Sequence, residues 1–193
     1  MPWEKSFDLD EAVNRAQKVF WDKGYEATSL SDLTKGMGIN KGSLYNAFGS
    51  KKSLFTRALL SYDRDNRQKS LKALEALDNP VDAISQLFSG LVDECLADDD
   101  RKGCFLVNTA LELPNHDQDI QEMVRAALSD LEAFFARQIA IGQAKGTIPN
   151  AVQAEGTAKT LLSLVVGARV LSRGAFEASA LEAIRQDALR LIS

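Results

Sequence analysis

The residues best equipped to hold a ligand crowd between Thr28 and Lys51: Thr28, Ser29, Lys41, Gly42, Ser43, Tyr45, Asn46 and Lys51. Thr28 and Ser29 fall where a short helix must begin. Hydroxyls beside the free backbone N–H groups of such an end can hold a phosphate. Lys41, Gly42, Ser43, Tyr45 and Asn46 are expected to face outward at the start of a second short helix. Gly42 permits close approach of a second molecule, and Ser43 and Asn46 carry the donors and acceptors that read base edges or grip phosphates. The chemistry on offer is recognition of a nucleic acid rather than the making of bonds.

Charge supports this reading once it is resolved along the chain. The 193 residues carry a net −4, which taken whole speaks against a polyanionic partner. Residues 1–57, however, hold nine Lys or Arg against seven Asp or Glu, a net of +2, and the remainder holds 14 basic and 20 acidic residues, a net of −6. From Thr28 to Lys52 the basic Lys35, Lys41, Lys51 and Lys52 face Asp32 alone. A local basic surface on an acidic protein suits a small DNA-reading module.

Catalytic chemistry finds no such support. His116 is the only histidine, and it follows Pro114-Asn115 in a stretch that reads as a solvated loop. No Cys–His–acid spacing, metal-ligand cluster or phosphate-binding glycine loop occurs, so neither an enzyme, a metal nor a cofactor is expected. Two cysteines, Cys95 and Cys104, are too few for a disulfide framework and read as reduced thiols. Their spacing does not require a bridge between them. No apolar run reaches the roughly 18 residues of a membrane span. Met-Pro-Trp-Glu-Lys is not followed by the apolar core of a signal peptide, so a cytoplasmic protein with no membrane partner is expected.

The elements that must position these residues are helices throughout. Only four prolines occur and good helix formers dominate. A first helix starts at Asp8, which with Glu11 has capping-box spacing, and buries Ala12, Val13, Ala16, Val19 and Phe20 before ending at Gly24. Thr28 or Ser29 opens a very short helix with Leu30 and Leu33 inward. After Gly36-Met-Gly38-Ile39, Asn40 opens another with Leu44, Tyr45 and Phe48. Two helices of this length around a glycine turn form a helix-turn-helix pattern, whose second helix enters the major groove. Ser50 caps a long helix with Leu54, Phe55, Ala58, Leu59 and Tyr62 inward, which turns polar all round from Asp63 to Lys72 and reads there as a solvated connector.

Residues Phe7 to Leu54, about a quarter of the chain, resemble the DNA-binding signature of the TetR/AcrR family. The likeness rests on Gly24-Tyr25 before Thr28 and on the run from Thr28 through Gly38-Ile39, Lys41-Gly-Ser-Leu-Tyr45 and Phe48-Gly-Ser-Lys51. It implies that Lys41, Tyr45 and Lys51 grip phosphates. The chain departs from the family at Thr34, Ala47 and Lys52, where alanine, histidine and an acidic residue are usual. Pro2-Trp-Glu-Lys-Ser6 replaces the arginine-bearing arm, which removes the expectation of a minor-groove contact. The resemblance implies an all-α fold of about nine helices. A helix-turn-helix domain would span residues 1–52, and a larger effector-binding and dimerisation domain residues 53–193.

Five further helices are expected, over about 80–97, 104–112, 117–145, 151–172 and 178–192. Lys102-Gly-Cys-Phe-Leu-Val-Asn-Thr-Ala-Leu-Glu-Leu113 resembles a branch of the family in which a Gly-Cys opens the sixth helix and some members sense electrophiles through cysteine. Cys104 follows Arg101 and Lys102 near a helix N-terminus, which would favour a thiolate; the bland and commoner reading is a small core side chain. Cys95 shares a face with Ile84, Phe88 and Leu91 and reads as core. The family implies a small-molecule effector pocket, and Phe88, Leu91, Cys104, Phe105, Asn108, Thr109, Met123 and Phe134 are its expected lining. The last two helices are apolar on more than one face. They are expected to form a homodimer through Leu161, Val165, Arg169, Leu181, Ile184 and Ala188.

The function implied is sequence-specific binding to a palindromic operator, with release by a small molecule or a thiol-reactive effector acting through the helix that starts at Ser50. The alternative is a helical ligand-binding dimer without DNA binding.

Overall fold

A computed structural model describes residues 7–193, and all its regular structure is helical. The residues that replace the basic arm lie outside the described part. The chain divides into two compact units, the first ending at Asn66 and the second spanning Arg67–Ser193.

In the first unit α1 (Leu9–Lys23), α2 (Leu30–Met37), α3 (Lys41–Phe48) and α4 (Lys51–Asp63) surround one core. Each start is written in a side chain. Asp8, Ser29, Asn40 and Ser50 accept from the N–H three residues on, satisfying donors that a helix leaves open. The capping box expected at Asp8 is only half made, because Glu11 turns forward to pair with Arg15 at 2.5 Å. The full box stands one helix later, between Ser29 and Asp32. The α2–α3 turn needs Gly38, whose φ is +69°, a conformation a Cβ disfavours. Gly36 has no room for a side chain: a Cβ there would lie 2.3 Å from Val19 Cγ2 of α1. Phe20, wholly buried, meets Phe55 of α4 edge-on at 5.1 Å, and Tyr25 closes on Phe55 at 4.8 Å. The compact unit reaches past residue 52 because Leu54, Phe55, Ala58 and Leu59 are buried along the face of α4 that packs with α1.

A single π turn, Arg64–Gln68, carries α4 into α5 (Lys69–Glu75), so the helical stretch from Lys51 to Glu75 is unbroken. Counted as one, it leaves nine helices among the described residues. Arg64, Asp65, Asn66 and Gln68 are exposed as a connector should be, but Asp63 is buried.

The second unit contains α5, α6 (Pro80–Leu96), α7 (Phe105–Leu111), α8 (Gln118–Lys145), α9 (Ala154–Leu171) and α10 (Ala178–Arg190). Its core joins Ile84, Phe88 and Leu91 of α6, Leu131, Phe134 and Phe135 of α8, and buried residues of α9 and α10. Cys95 belongs to it, as its register implies. α8 packs on α6 and α9, α10 on α6, and α7 on α8 and α9.

Three expectations are corrected here. Leu161 (0 % exposed), Val165 (8 %), Leu181 (2 %) and Ala188 (0 %) point into the core of their own chain rather than toward a partner. Ile184 is half-buried against the same core. Arg169, offered as an interface cation, pairs with Glu94 of α6 in its own chain. Two apolar faces on one helix look alike in sequence, and the tighter one is taken by the chain's own core. His116 is buried, not solvated. It follows a 3-10 turn, Leu113–Asn115, and its carbonyl accepts from Gln121 Nε2 at 2.7 Å.

Candidate nucleic-acid interface

The outer surface of the first unit is set by how α2 and α3 are held. At the head of α2 the Ser29 N–H and hydroxyl both donate to Asp32 Oδ2, at 2.9 and 2.7 Å, and the Asp32 N–H donates back to Ser29 Oγ at 3.1 Å. Lys23 Nζ donates to Asp32 Oδ1 at 2.5 Å. The hydrogen bond from Lys23, with those from Ser29, holds the Asp32 carboxyl far below the usual carboxylate range. Lys23 thereby also offsets the negative charge of Asp32, which would oppose a phosphate at this end. Nothing in the local motif singled out Lys23, because it reaches Asp32 from the end of the previous helix. At the other end of α2, Arg15 Nη1 donates to the Met37 carbonyl at 3.3 Å and satisfies part of its C-terminus.

Thr28 and Ser29 are separated by this geometry. Ser29 is exposed at the N-cap. Thr28 is 1 % exposed, and its hydroxyl donates to the Gly24 carbonyl at 2.6 Å. Its side chain locks the α1–α2 corner, so the expected hydroxyl contact to phosphate is corrected to a structural role.

α3 presents Lys41, Gly42, Tyr45 and Asn46 to solvent, four of the five residues expected there. They lie at i, i+1, i+4 and i+5, the two adjacent ridges of one helical face. Ser43 is the exception. It is 6 % exposed, turned to the inner face beside Leu44, while its N–H donates to Asn40 Oδ1 at 2.8 Å. The Asn40 cap and the inward Leu44 and Phe48 set that rotation, which puts position 43 on the inner side. Tyr45 is 42 % exposed, large for a ring in water with no packing reason to be there. Lys41 Nζ stands 6.0 Å from the centre of that ring, close enough for a weak cation–π contact.

Lys51 at the head of α4 lies over the Tyr25 ring at 4.6 Å and donates to the Glu26 carbonyl at 3.3 Å. Its ammonium is thus pre-positioned beside the α1–α2 corner. The face therefore gathers an exposed helix end capped by Ser29, an outward helix with a tyrosine, an asparagine and a lysine, and a braced second lysine. It can bind a phosphate backbone and present an amide to base edges.

The residues expected to line an effector pocket fall into distinct places in the second unit. Phe88, Leu91 and Phe134 lie within the main core. Phe105 and Thr109 are buried on α7, where the Thr109 hydroxyl donates to the Phe105 carbonyl at 2.9 Å. Asn108 donates to the Lys102 carbonyl at 2.8 Å and accepts from Arg173 at 3.2 Å. Met123 is half-buried on α8. Cys104 is the half-buried N-cap of α7, and neither it nor Cys95 is in a disulfide. Burial pulls the Arg169 guanidinium down and the nearby Cys104, Glu94 and Cys95 push it up, for a net upward shift, so the thiol of Cys104 lies in the field of a fixed cation. Among the described residues no group of acidic, histidine and cysteine side chains could hold a metal, and no helix is long and apolar enough to cross a membrane.

Comparison with known proteins agrees with this geometry at both ends of the chain. Residues 13–58 match the family model of bacterial regulatory proteins of the tetR family, and residues 80–188 match the tetracyclin repressor-like C-terminal domain. The chain is 30 % identical over 183 residues to the HTH-type transcriptional repressor ComR of Escherichia coli (strain K12), covering 94 % of this chain and 86 % of that one. It is 34 % identical over 131 residues to the HTH-type transcriptional regulator YezE of Bacillus subtilis (strain 168), 68 % of each chain. Among solved structures it is similar to a cysteine mutant of the TetR family transcriptional regulator CifR complexed with double-strand operator DNA. That likeness has a TM-score of 0.83 and 29 % identity, over 96 % of this chain and 97 % of the other. With a helix-turn-helix surface in the first unit and matching models over both, the chain belongs to the TetR family of bacterial regulatory proteins.

Proposed function

We propose that this protein is a sequence-specific transcriptional repressor that binds a palindromic operator as a homodimer and is released by an effector held in its second unit. The observation that carries the reading is the exposed face of α3, where Lys41, Gly42, Tyr45 and Asn46 stand outward on a helix locked by the Gly38 turn. The likeness to a regulator in complex with operator DNA supports it. Lys41, Tyr45 and Lys51 grip phosphates, with Ser29 at the head of α2, while Asn46 reads base edges and Gly42 lets the backbone approach. A protein built this way works by binding, in the cytoplasm where its operator lies, and needs no catalytic group.

The dimer uses the apolar residues that the chain's own core leaves over. Val166, Val170 and Leu171 of α9 are half-buried and stand outside that core, and Leu191 after α10 is exposed. An isologous pairing of these faces would set two copies of α3 at the spacing of operator half-sites. The effector is a small molecule or a thiol-reactive compound, and Cys104 is the thiol placed to meet the latter.

Retention of genomic DNA fragments by the purified protein, followed by sequencing, tests the reading. A palindromic site retained by the wild type and lost in Tyr45→Ala is the expected result. Release by a thiol alkylator, blocked in Cys104→Ser, assigns the thiol route. Absence of selective retention at every salt concentration would leave a helical ligand-binding dimer without DNA binding.

A further inference from the structure

The base that an operator must offer follows from how α3 is turned. Ser43, Leu44 and Phe48 are buried and fix its inner side. At about 3.6 residues per turn, the point opposite these three is Gly42. Tyr45 and Asn46 stand on either side of that point, one turn further along, and both are exposed. Helical side chains lean toward the N-terminus, so these two lean back over the turn that holds Gly42. The outermost point of the helix is therefore bare backbone, flanked by a ring and a carboxamide. Asparagine is short, and only a helix seated this closely lets it touch the floor of a groove.

The other groups of this face that could read a base are engaged elsewhere. Asn40 spends its Oδ1 on the Ser43 N–H at 2.8 Å. Ser43 faces inward, and the Thr28 hydroxyl donates to the Gly24 carbonyl at 2.6 Å. Lys41 Nζ stands 6.0 Å from the centre of the Tyr45 ring. Lys51 lies over Tyr25 and donates to the Glu26 carbonyl. These two lysines could pair with the two acceptors of guanine, but both are drawn to the flanks of the face. The Asn46 carboxamide is exposed and enters none of these contacts.

A carboxamide presents one acceptor and one donor side by side. In the major groove adenine offers the matching pair: its N6 amino group donates to Oδ1, and its N7 accepts from Nδ2. Guanine offers two acceptors, which leaves Oδ1 facing a lone pair. Cytosine offers a lone donor and thymine a lone acceptor. We infer that Asn46 selects adenine, so that each operator half-site is specified most sharply at one A·T pair, while Lys41, Tyr45 and Lys51 add affinity without base choice. The inference rests on the repressor reading above and names the base that this reading leaves open.

Selection from random duplexes with the full-length protein tests it. Wild type should enrich a palindrome in which one adenine of each half-site, changed to guanine, weakens binding about tenfold or more. Placing 7-deazaadenine there removes N7 and leaves base pairing intact, and it should weaken wild-type binding by a similar factor. Asn46→Ala should accept all four bases at that position within about twofold and be indifferent to 7-deazaadenine. Asn46→Asp has the same shape but only acceptors, and its preference should move to cytosine, whose N4 amino group donates. A damaged fold cannot produce that gain. A palindrome with the same base preferences in wild type and Asn46→Ala would overturn the inference and leave the repressor reading standing. So would a relaxed position that is a G·C pair, or wild-type binding blind to 7-deazaadenine. If wild type enriches no sequence, the repressor reading falls and the inference falls with it.

Discussion

Lys23 and Asp32 carry the clearest electrostatic statement in the first unit. The Asp32 carboxyl is held down first by the hydrogen bond from Lys23 and then by the Ser29 cap. Its folded pKa lies below the unfolded one, so its contribution to stability is complete above about pH 4 and fades as the pH falls toward the lowered folded value. Carbon-detected titration should find Asp32 still ionised at pH 3 in the wild type. In Lys23→Met its midpoint should move up toward the ordinary 3.8. The DNA contacts separate by type at the same scale. Lys41→Ala should weaken binding to all sequences alike and reduce the salt slope by about 1. Asn46→Ala should cost about 1–3 kcal/mol at one operator position and relax its base preference. Competition binding on operator variants at several salt concentrations reads both, and identical behaviour of the two variants would contradict the assignment.

Helices were the most legible level. Asp8, Ser29, Asn40 and Ser50 announce where elements begin, and the structure sets α1, α2, α3 and α4 there. The rotation of a helix about its axis was less legible. Ser43 looked outward because its neighbours are, yet Leu44 and Phe48 set the inward side of α3 so that it includes position 43. Likewise Leu161 and Val165 looked available to a partner because α9 has apolar residues all round, and one strand of sequence does not say which face is used at home. Close approach also escapes a sequence reading, as at Gly142 under Ile148. Gly142→Ala should destabilise the protein by about 1–3 kcal/mol in chemical denaturation. Combined with Ile148→Ala the costs should be less than additive, because the colliding atoms are gone.

The two units give the whole molecule a division of labour by charge and by surface. The proposed contact with operator is the outward face of α3, and the net negative charge after residue 57 disfavours non-specific adherence of the rest of the chain to DNA. The proposed assembly uses the apolar remainder of α9 together with Leu191 after α10. Val166→Glu should convert the dimer to a folded monomer by light scattering and lower operator affinity more than a hundredfold, since the linked second half-site is lost. Leu161→Glu should instead unfold the chain, because Leu161 is wholly inside it. A monomeric but well-folded Leu161→Glu would reverse the assignment of faces.

The caps of the first unit have a consequence for how the chain is born. Ser29, Asn40 and Ser50 each close their helix through a bond only three residues long. The aromatic centre they assemble spans only Phe20 to Tyr62. The caps, so close in sequence, form quickly, and synthesis delivers both sides of the aromatic centre first. The DNA-reading surface can therefore order on the ribosome while the residues after Asn66 are still being added, and each new repressor completes its reading head before it can meet its partner or its effector.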